Sequence, residues 1–460
     1  MGKRYIGDKA FYRSVFAIAI PMIIQNGINN FVSLLDNIMV GQLGTAQMSG
    51  VSVVNQFVFI FTLTLVGATA GAGIFTAQFF GSRDHQSIRY TFRFKVIACL
   101  VIGVLGIGIL LLGGTPLIST FLQGEGEPEQ IRATLQYGLD YASVIVWGML
   151  PMGLFFAYST TLRECGESKV PMIAGTAAVF VNLFLNYVLI FGHFGLPAMG
   201  VKGAALATVI ARYVELLVAL VWTHLNGKKH PFIQGALRSA YIPAQLLGRI
   251  SLKGTPLLFN EFLWAFGLTF LNQCYSTRSL DVVSATNICT TISNLANVVT
   301  MALGVTIGIV MGQMMGSGRP EQEIRDANRK LVALCVFMGV IFGALLALIA
   351  VPFPKFYNAE PRIHALATKL ILIIAIMKPT DTYMYSGYYT LRAGGKTWLT
   401  FLYDGGYVWL VTVPVVYALS RFTDIDIVPL YAISFSTNLI KCVVGYFLIR
   451  KGNWIQNLTR

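Results

Sequence analysis

The stretch LVALCVFMGVIFGALLALIAV, residues 331–351, contains no charged, amide, hydroxyl or prolyl residue. Wound into a helix at 1.5 Å per residue it is about 30 Å long, the thickness of a bilayer's hydrocarbon core. Nothing in it faces water comfortably, so it reads as a membrane span. Working outward, Val96–Leu112 has the same character, and Val170–Phe191 is long and largely apolar. Spans are expected at 14–40, 50–79, 94–113, 133–157, 170–191, 201–224, 252–275, 284–315, 330–351, 364–390, 397–419 and 428–449. Hydrophobic residues make up 55% of the 460 and charged residues 12%, too few charges for a soluble surface of this size. The chain is therefore read as an all-α, multi-pass integral membrane protein of about twelve transmembrane helices, with the lipid bilayer as its first partner.

The net charge of +14 is a matter of topology. With these spans, roughly 24 of the 34 Lys and Arg fall at the termini or after even-numbered spans. Among them are Lys3, Arg4, Arg83, Arg89, Arg93, Lys228, Lys229, Arg319, Arg329, Arg450 and Lys451. The opposite loops carry acids such as Glu125, Glu127, Glu129, Asp424 and Asp426. Both termini are expected in the cytoplasm, and no nucleic-acid partner is implied. The six cysteines form no CxxC pair and the five histidines show no metal-ligand spacing, so neither disulfides nor a structural metal is expected. The first apolar segment is too long for a cleaved leader and lacks a small-residue cleavage site, so it should remain as the first span.

The chain also matches itself. At an offset of about 235 residues Pro21 meets Pro256, Ser49 meets Ser284, Gly73 meets Gly308, Gln78 meets Gln313, and Gly81-Ser82 meets Gly316-Ser317. Further on, Thr161-Leu162-Arg163-x-x-Gly166 returns as Thr390-Leu391-Arg392-x-x-Gly395. Six spans bring the chain back to its starting side, so the halves should be two six-helix bundles related by a pseudo-twofold axis along the membrane normal. Residues 1–225 form the first lobe, 226–250 a cytoplasmic linker and 251–460 the second lobe. A substrate path is expected between the lobes, lined by the first, second, seventh and eighth spans.

Charges inside spans are costly and point to function. They include Asp36, Arg212, Glu215, Glu261, Lys378, Asp381, Asp404 and Lys441. Asp36 lies about 33 Å along the first span, and Asn182 and Asn186 about 18 and 24 Å along the fifth. The two asparagines are i,i+4 and share a face. A carboxylate beside two amides offers oxygen ligands to a hard cation such as Na⁺, or a pocket in which the carboxyl exchanges a proton. Glu261, Asp381 and Asp404 lie at matched depth with Lys378 and Lys441, as a second acidic site or as a static ion-pair network. Asp404 with Lys441 reads best as such a pair, and Arg212 with Glu215, i,i+3, as another.

These residues resemble the multidrug and toxic compound extrusion (MATE) family. The signs are Asp36-x-x-x-Val40-Gly41-x-Leu43-Gly44, Asn182-x-x-x-Asn186 with Ile190-Phe191-Gly192, Gly200-Val201-x-Gly203-Ala204-Ala205-x-Ala207-Thr208, and the two Leu-Arg-x-x-Gly loops. The resemblance implies an antiporter in the cell membrane, acting as a monomer, that exports amphipathic, cationic drugs or toxic compounds. Inward Na⁺ or H⁺ would drive it, with no other cofactor. It assigns ion coupling to Asp36, Asn182, Asn186 and Thr208, and an acidic second-lobe site to Glu261 and Asp381, with Asp404 beside them. Asn186 stands where many relatives of one branch carry a second Asp. The alternatives are a lipid-linked precursor flippase of the same superfamily, whose members commonly have about fourteen spans and a cationic cavity, or a membrane receptor or enzyme. No HExxH motif or phosphate-binding P-loop is present, so catalytic residues and direct ATP drive are not expected.

Overall fold

The structure, a computed structural model, describes residues 5–122, 127–357 and 359–459. Lys3, Arg4 and Glu125, which contribute to the charge bias, lie outside the described residues. Twelve long helices follow one another in chain order. In the first half they are α1 Lys9–Gly41, α2 Thr45–Gly81, α3 His85–Phe121, α4 Pro128–Glu164, α5 Lys169–Phe191 and α6 Gly200–Leu225. In the second half they are α7 Ala244–Ser276, α8 Leu280–Gly316, α9 Glu321–Ile349, α10 Pro361–Ala393, α11 Thr397–Phe422 and α12 Ile427–Lys451. The described residues contain no strand.

Eleven of the twelve are long and apolar enough to cross a bilayer. The remaining one, α7, has 33 residues, and Arg249, Lys253, Asn260 and Glu261 along it lower its hydropathy. The protein is a multi-pass membrane protein. Its helices run past the apolar stretches: α3 has 37 residues, about two turns beyond expectation at each end. Hydropathy falls where a helix leaves the hydrocarbon, but the backbone ladder does not need lipid to continue.

By its internal contacts the chain divides into two compact units. One holds Ile24–Thr76 and Asp84–Arg249; the other holds Met1–Ile23, Ala77–Arg83 and Ile250–Arg460. The boundary thus falls inside α1 and α2, not only at the linker.

The first unit centres on α3 to α6. Val40, Val54, Ile118, Tyr141, Ile190 and Val209 share one buried cluster, and α5 packs on α6, where Gly203 lies against the Leu189 carbonyl. The linker is bound down rather than hanging free. The Arg93 guanidinium donates to the carbonyls of Ala236 at 2.7 Å, Tyr241 at 2.9 Å and Gly235 at 3.1 Å, and Phe232 is buried against Phe92.

The second unit centres on α7 to α12. Val15 and Ala19, from the N-terminal part of α1, belong to the same core cluster as Leu303, Ile307 and Met311 of α8. The last turns of α2 and α8 meet backbone to backbone. A Cβ on Gly81 would overlap the Gln313 carbonyl, and one on Gly316 would overlap that of Gln78.

The repeated Thr-Leu-Arg-x-x-Gly hexamer ends α4 and α10 in the same way. Gly166 has φ +79° and Gly395 φ +71°. Glu167 N donates to Leu162 O at 2.8 Å and Gly166 N to Arg163 O at 2.9 Å; Lys396 N donates to Leu391 O at 3.3 Å and Gly395 N to Arg392 O at 2.9 Å. This paired closure of a helix C-terminus needs a left-handed residue, which glycine adopts without strain.

Candidate functional site

The i,i+4 spacing of Asn182 and Asn186 does put both on one face of α5, and both are buried. That face meets the C-terminal part of α1. Asn186 Nδ2 donates to Asp36 Oδ1 at 2.6 Å and to Asn182 Oδ1 at 3.2 Å. Asn182 in turn bonds Thr208 Oγ1 on α6 at 3.2 Å, and that hydroxyl donates to Ala204 O at 3.1 Å. The Asn182 amide meets more partners with its nitrogen turned to α1, donating to Asp36 Oδ1 at 2.9 Å and Oδ2 at 3.3 Å while its oxygen accepts from Thr208. In both orientations uncharged groups hold the carboxylate. Asn186 Oδ1 is buried with no hydrogen-bond partner among the described residues. Arg212 acts on Asp36 from α6, but it is already paired with Glu215 at 2.9 Å, as their spacing suggested.

Chemically this is a carboxylate, two amides and a hydroxyl on three helices. The oxygens suit a hard monovalent cation, and the carboxyl can instead carry a proton between neutral neighbours. The four residues expected to couple ions stand together in one hydrogen-bonded set.

The second-half acids have different company. Asp404 is held at both oxygens: Lys441 Nζ donates to Oδ1 at 2.7 Å and Asn260 Nδ2 to Oδ2 at 3.0 Å. Lys441 also sits 5.2 Å from the Tyr403 ring centroid. Asp381 Oδ1 accepts from Asn438 Nδ2 at 3.4 Å, with Lys378 and Lys441 acting on it electrostatically. Lys378, almost fully buried, donates to Asn297 Oδ1. Glu261 feels Arg392 first and Asp404 second. The Tyr385 phenol lies within electrostatic reach of Asp404, Asp381 and Glu261, so the three acids are neighbours. Three cations answer them, where the spacing of the spans pointed to two; Arg392 is the addition.

Asp404 also sits where α11 widens. Residues Leu402–Gly406 and Val408–Thr412 form π-helical turns, a feature frequent at functional sites. Asn260 Oδ1 accepts from Gly405 N at 2.8 Å inside the first wide turn. The side chain that binds Asp404 therefore also pins the backbone carrying it.

Sequence reading missed a further first-half cluster. Lys95 is fully buried and paired with Glu164, with Thr161 Oγ1 at 3.3 Å. Arg163 Nη2 donates to Gln25 Oε1 at 2.7 Å. Lys95 stands at the very start of the third expected span, where it reads as an interfacial charge. Asn260, 235 residues after Gln25, bonds Asp404, so the repeat does not point to the Gln25–Arg163 pair.

With this geometry in hand, the chain was compared with known proteins. A family model, MatE, matches residues 21–188 and 256–418. The chain is 23% identical over 447 residues to a probable multidrug resistance protein NorM of Thermotoga maritima, covering 96% of this chain and 93% of that one. It is 25% identical over 413 residues to the multidrug resistance protein MdtK of Yersinia pestis, covering 88% and 87%. Its fold matches a multidrug resistance MATE family transporter of the MOP superfamily, solved in an outward-facing conformation. That match has TM-score 0.86 and 18% identity, covering 97% of this chain and 96% of that one.

Proposed function

The chain belongs to the MatE family of membrane transporters, and from that premise we propose that it is a multidrug antiporter exporting amphipathic organic cations in exchange for inward Na⁺ or H⁺. The observation that carries the coupling half of this reading is the Asp36 set. Its carboxylate is bonded by the Asn186 amide at 2.6 Å and by no charged donor in the hydrogen-bonded set described. A charge held only by neutral dipoles is one that an arriving cation can neutralise. When Na⁺ or H⁺ binds, Asp36 no longer needs both amides, and Asn186 and Asn182 are free to exchange partners along α5 and α6. Occupancy of the site is thereby linked to the packing of α1 on α5. That linkage is what an exchanger requires, because a ligand shifts a conformational equilibrium only through differential contacts.

The names of the NorM and MdtK relatives support drugs as the exported class. The charge bias of the loops supports cytoplasmic termini.

The test uses purified protein in liposomes loaded with ethidium, with a proton gradient and a sodium gradient imposed separately. One gradient should drive dye movement above that of protein-free liposomes, and dissipating that gradient should stop it. Dye movement indifferent to both gradients would overturn the antiport reading.

A further inference from the structure

Gln78 lies in the last turn of α2 and is fully buried, yet its side chain serves neither candidate site. Its amide makes three hydrogen bonds, all to backbone. Nε2 donates to Ala393 O and Gln456 O, each at 3.1 Å, and Oε1 accepts from Leu458 N at 2.6 Å. Two of the three partners belong to the segment after α12. That segment is itself seated: Trp454 is 1% exposed, and its indole donates to Ile449 O at 3.1 Å. The Trp454 carbonyl lies against Gly394, closer than any side chain would allow, and Leu458 covers Gly395. One turn along, Gly81 and Gly316 bring α2 and α8 into backbone contact.

We propose that Gln78 and the segment Gly452–Thr459 form a latch, which keeps the inner end of α2 closed on α8 and releases for each opening toward the cytoplasm. Three features fit a latch better than a permanent joint. The gripped residue sits at the end of a helix, where a small tilt breaks all three bonds together. The gripping segment lies beyond α12, which ends at Lys451, so it can let go without displacing that helix. Its partners are backbone atoms, so the bond geometry can re-form on closure without a side-chain search. Gln78 is accordingly a positioning residue of the transport cycle. The idea rests on the reading of this chain as a transporter whose inner face opens and closes, but not on the choice of drug or coupling ion.

The test reads closure directly, with no drug or gradient, so its outcome stands apart from that of the dye assay. The six native cysteines are replaced, and Met311→Cys serves as reporter, since Met311 is fully buried in the cluster that includes Val15 and Ala19. A second chain carries Leu370→Cys, buried in a separate cluster, as control. Maleimide labelling is followed in lipid nanodiscs. Gln78→Ala should speed labelling at Met311→Cys about tenfold, the scale of losing one such hydrogen-bonded contact. Truncation after Lys451 should speed it at least as much, since it also removes Trp454 and Leu458, and adding Gln78→Ala to the truncated chain should change nothing further. The control should not change. Unchanged labelling in Gln78→Ala, effects that multiply, or equal acceleration at Leu370→Cys would each overturn the latch; the last would mean general loosening. If the truncated chain does not fold, the Gln78→Ala result with its control decides alone.

Discussion

The two halves of this chain keep their half-buried carboxylates under opposite conditions. In the first half Asp36 is met by amides, and the nearest cation that acts on it, Arg212, is committed to Glu215. In the second half Asp404 is held by Lys441 and Asn260, while Arg392 and Lys378 act on Glu261 and Asp381. A carboxylate with a lysine on one oxygen and an amide on the other is half of an ion pair. On the proposed reading, the one that touches only neutral dipoles is the one that meets the ion. The two halves thus give related helices different partners: amides for Asp36, Lys441 and Asn260 for Asp404.

The strongest way to break this contrast is to open the Asp404–Lys441 pair. Asp404→Asn leaves Lys441 buried without its counter-ion and should cost about 3–5 kcal/mol, read as a clear drop in melting temperature. Adding Lys441→Met should recover most of the loss. A single variant that melts like the parent would show that the pair is not holding the second half together.

Asp36→Asn should behave in the reverse manner. Melting should stay close to the parent, since removing a buried charge offsets the bonds weakened. Gradient-driven dye movement should fall at least about a hundredfold, equivalent to about 2.7 kcal/mol on the transport step. If transport survives, Asp36 has no part in coupling. If the protein unfolds instead, its role is structural and the contrast collapses.

The amides sharpen the comparison. Asn260→Ala strips a partner from Asp404 Oδ2 and from Gly405 N in the wide turn, so stability should fall by about 1–3 kcal/mol. Asn182→Ala should instead raise the ion concentration for half-maximal transport about tenfold, the scale of one lost ligand contact, with little change in melting. Equal effects on stability would mean that both asparagines are packing residues.

The smallest effect concerns the segments that follow each bundle. His230, in the linker, is 5% exposed. Burial, then Lys229, hold its pKa below the ordinary value, against an opposing pull from Glu167. A depressed histidine favours the docked linker while neutral, so docking is full above about pH 6.5 and weakens as pH falls below it. Proteolysis of the linker should rise about twofold to threefold between pH 7.5 and 5.5, a change of well under 1 kcal/mol. His230→Phe should abolish the rise. The C-terminal segment Gly452–Thr459, without a titratable side chain, should show none. A pH-independent linker would remove His230 from its docking.

Most of the architecture was legible because lipid forces it. Uninterrupted apolar stretches marked the spans, and identical residues at an offset of about 235 marked the repeat. The Asp36 set was legible in part, since Asn182 and Asn186 had to share a face and Asp36 stood out as a charge inside the first span. What stayed hidden depends on how helices are rotated against one another. Nothing along α3 and α4 reveals that Lys95 will find Glu164, or that Gln25 on α1 will meet Arg163. In helices that are apolar nearly all round, composition hardly marks which face is which. The wide turns of α11 were also unreadable, because a π-helical turn is a matter of hydrogen-bond register that its residues, Leu402-Tyr403-Asp404-Gly405-Gly406, do not announce.

The paired turns after α4 and α10 bear on ancestry. A chain that arose by duplication drifts fastest where any side chain of suitable size will serve, as on most lipid-facing surfaces. It drifts least where only a hydrogen atom fits. Gly166 and Gly395 hold left-handed backbones with matching hydrogen bonds, and Gly81 and Gly316 hold a backbone-to-backbone contact. The common origin of the two halves is thus written in glycines, while the carboxylates between them have gone separate ways.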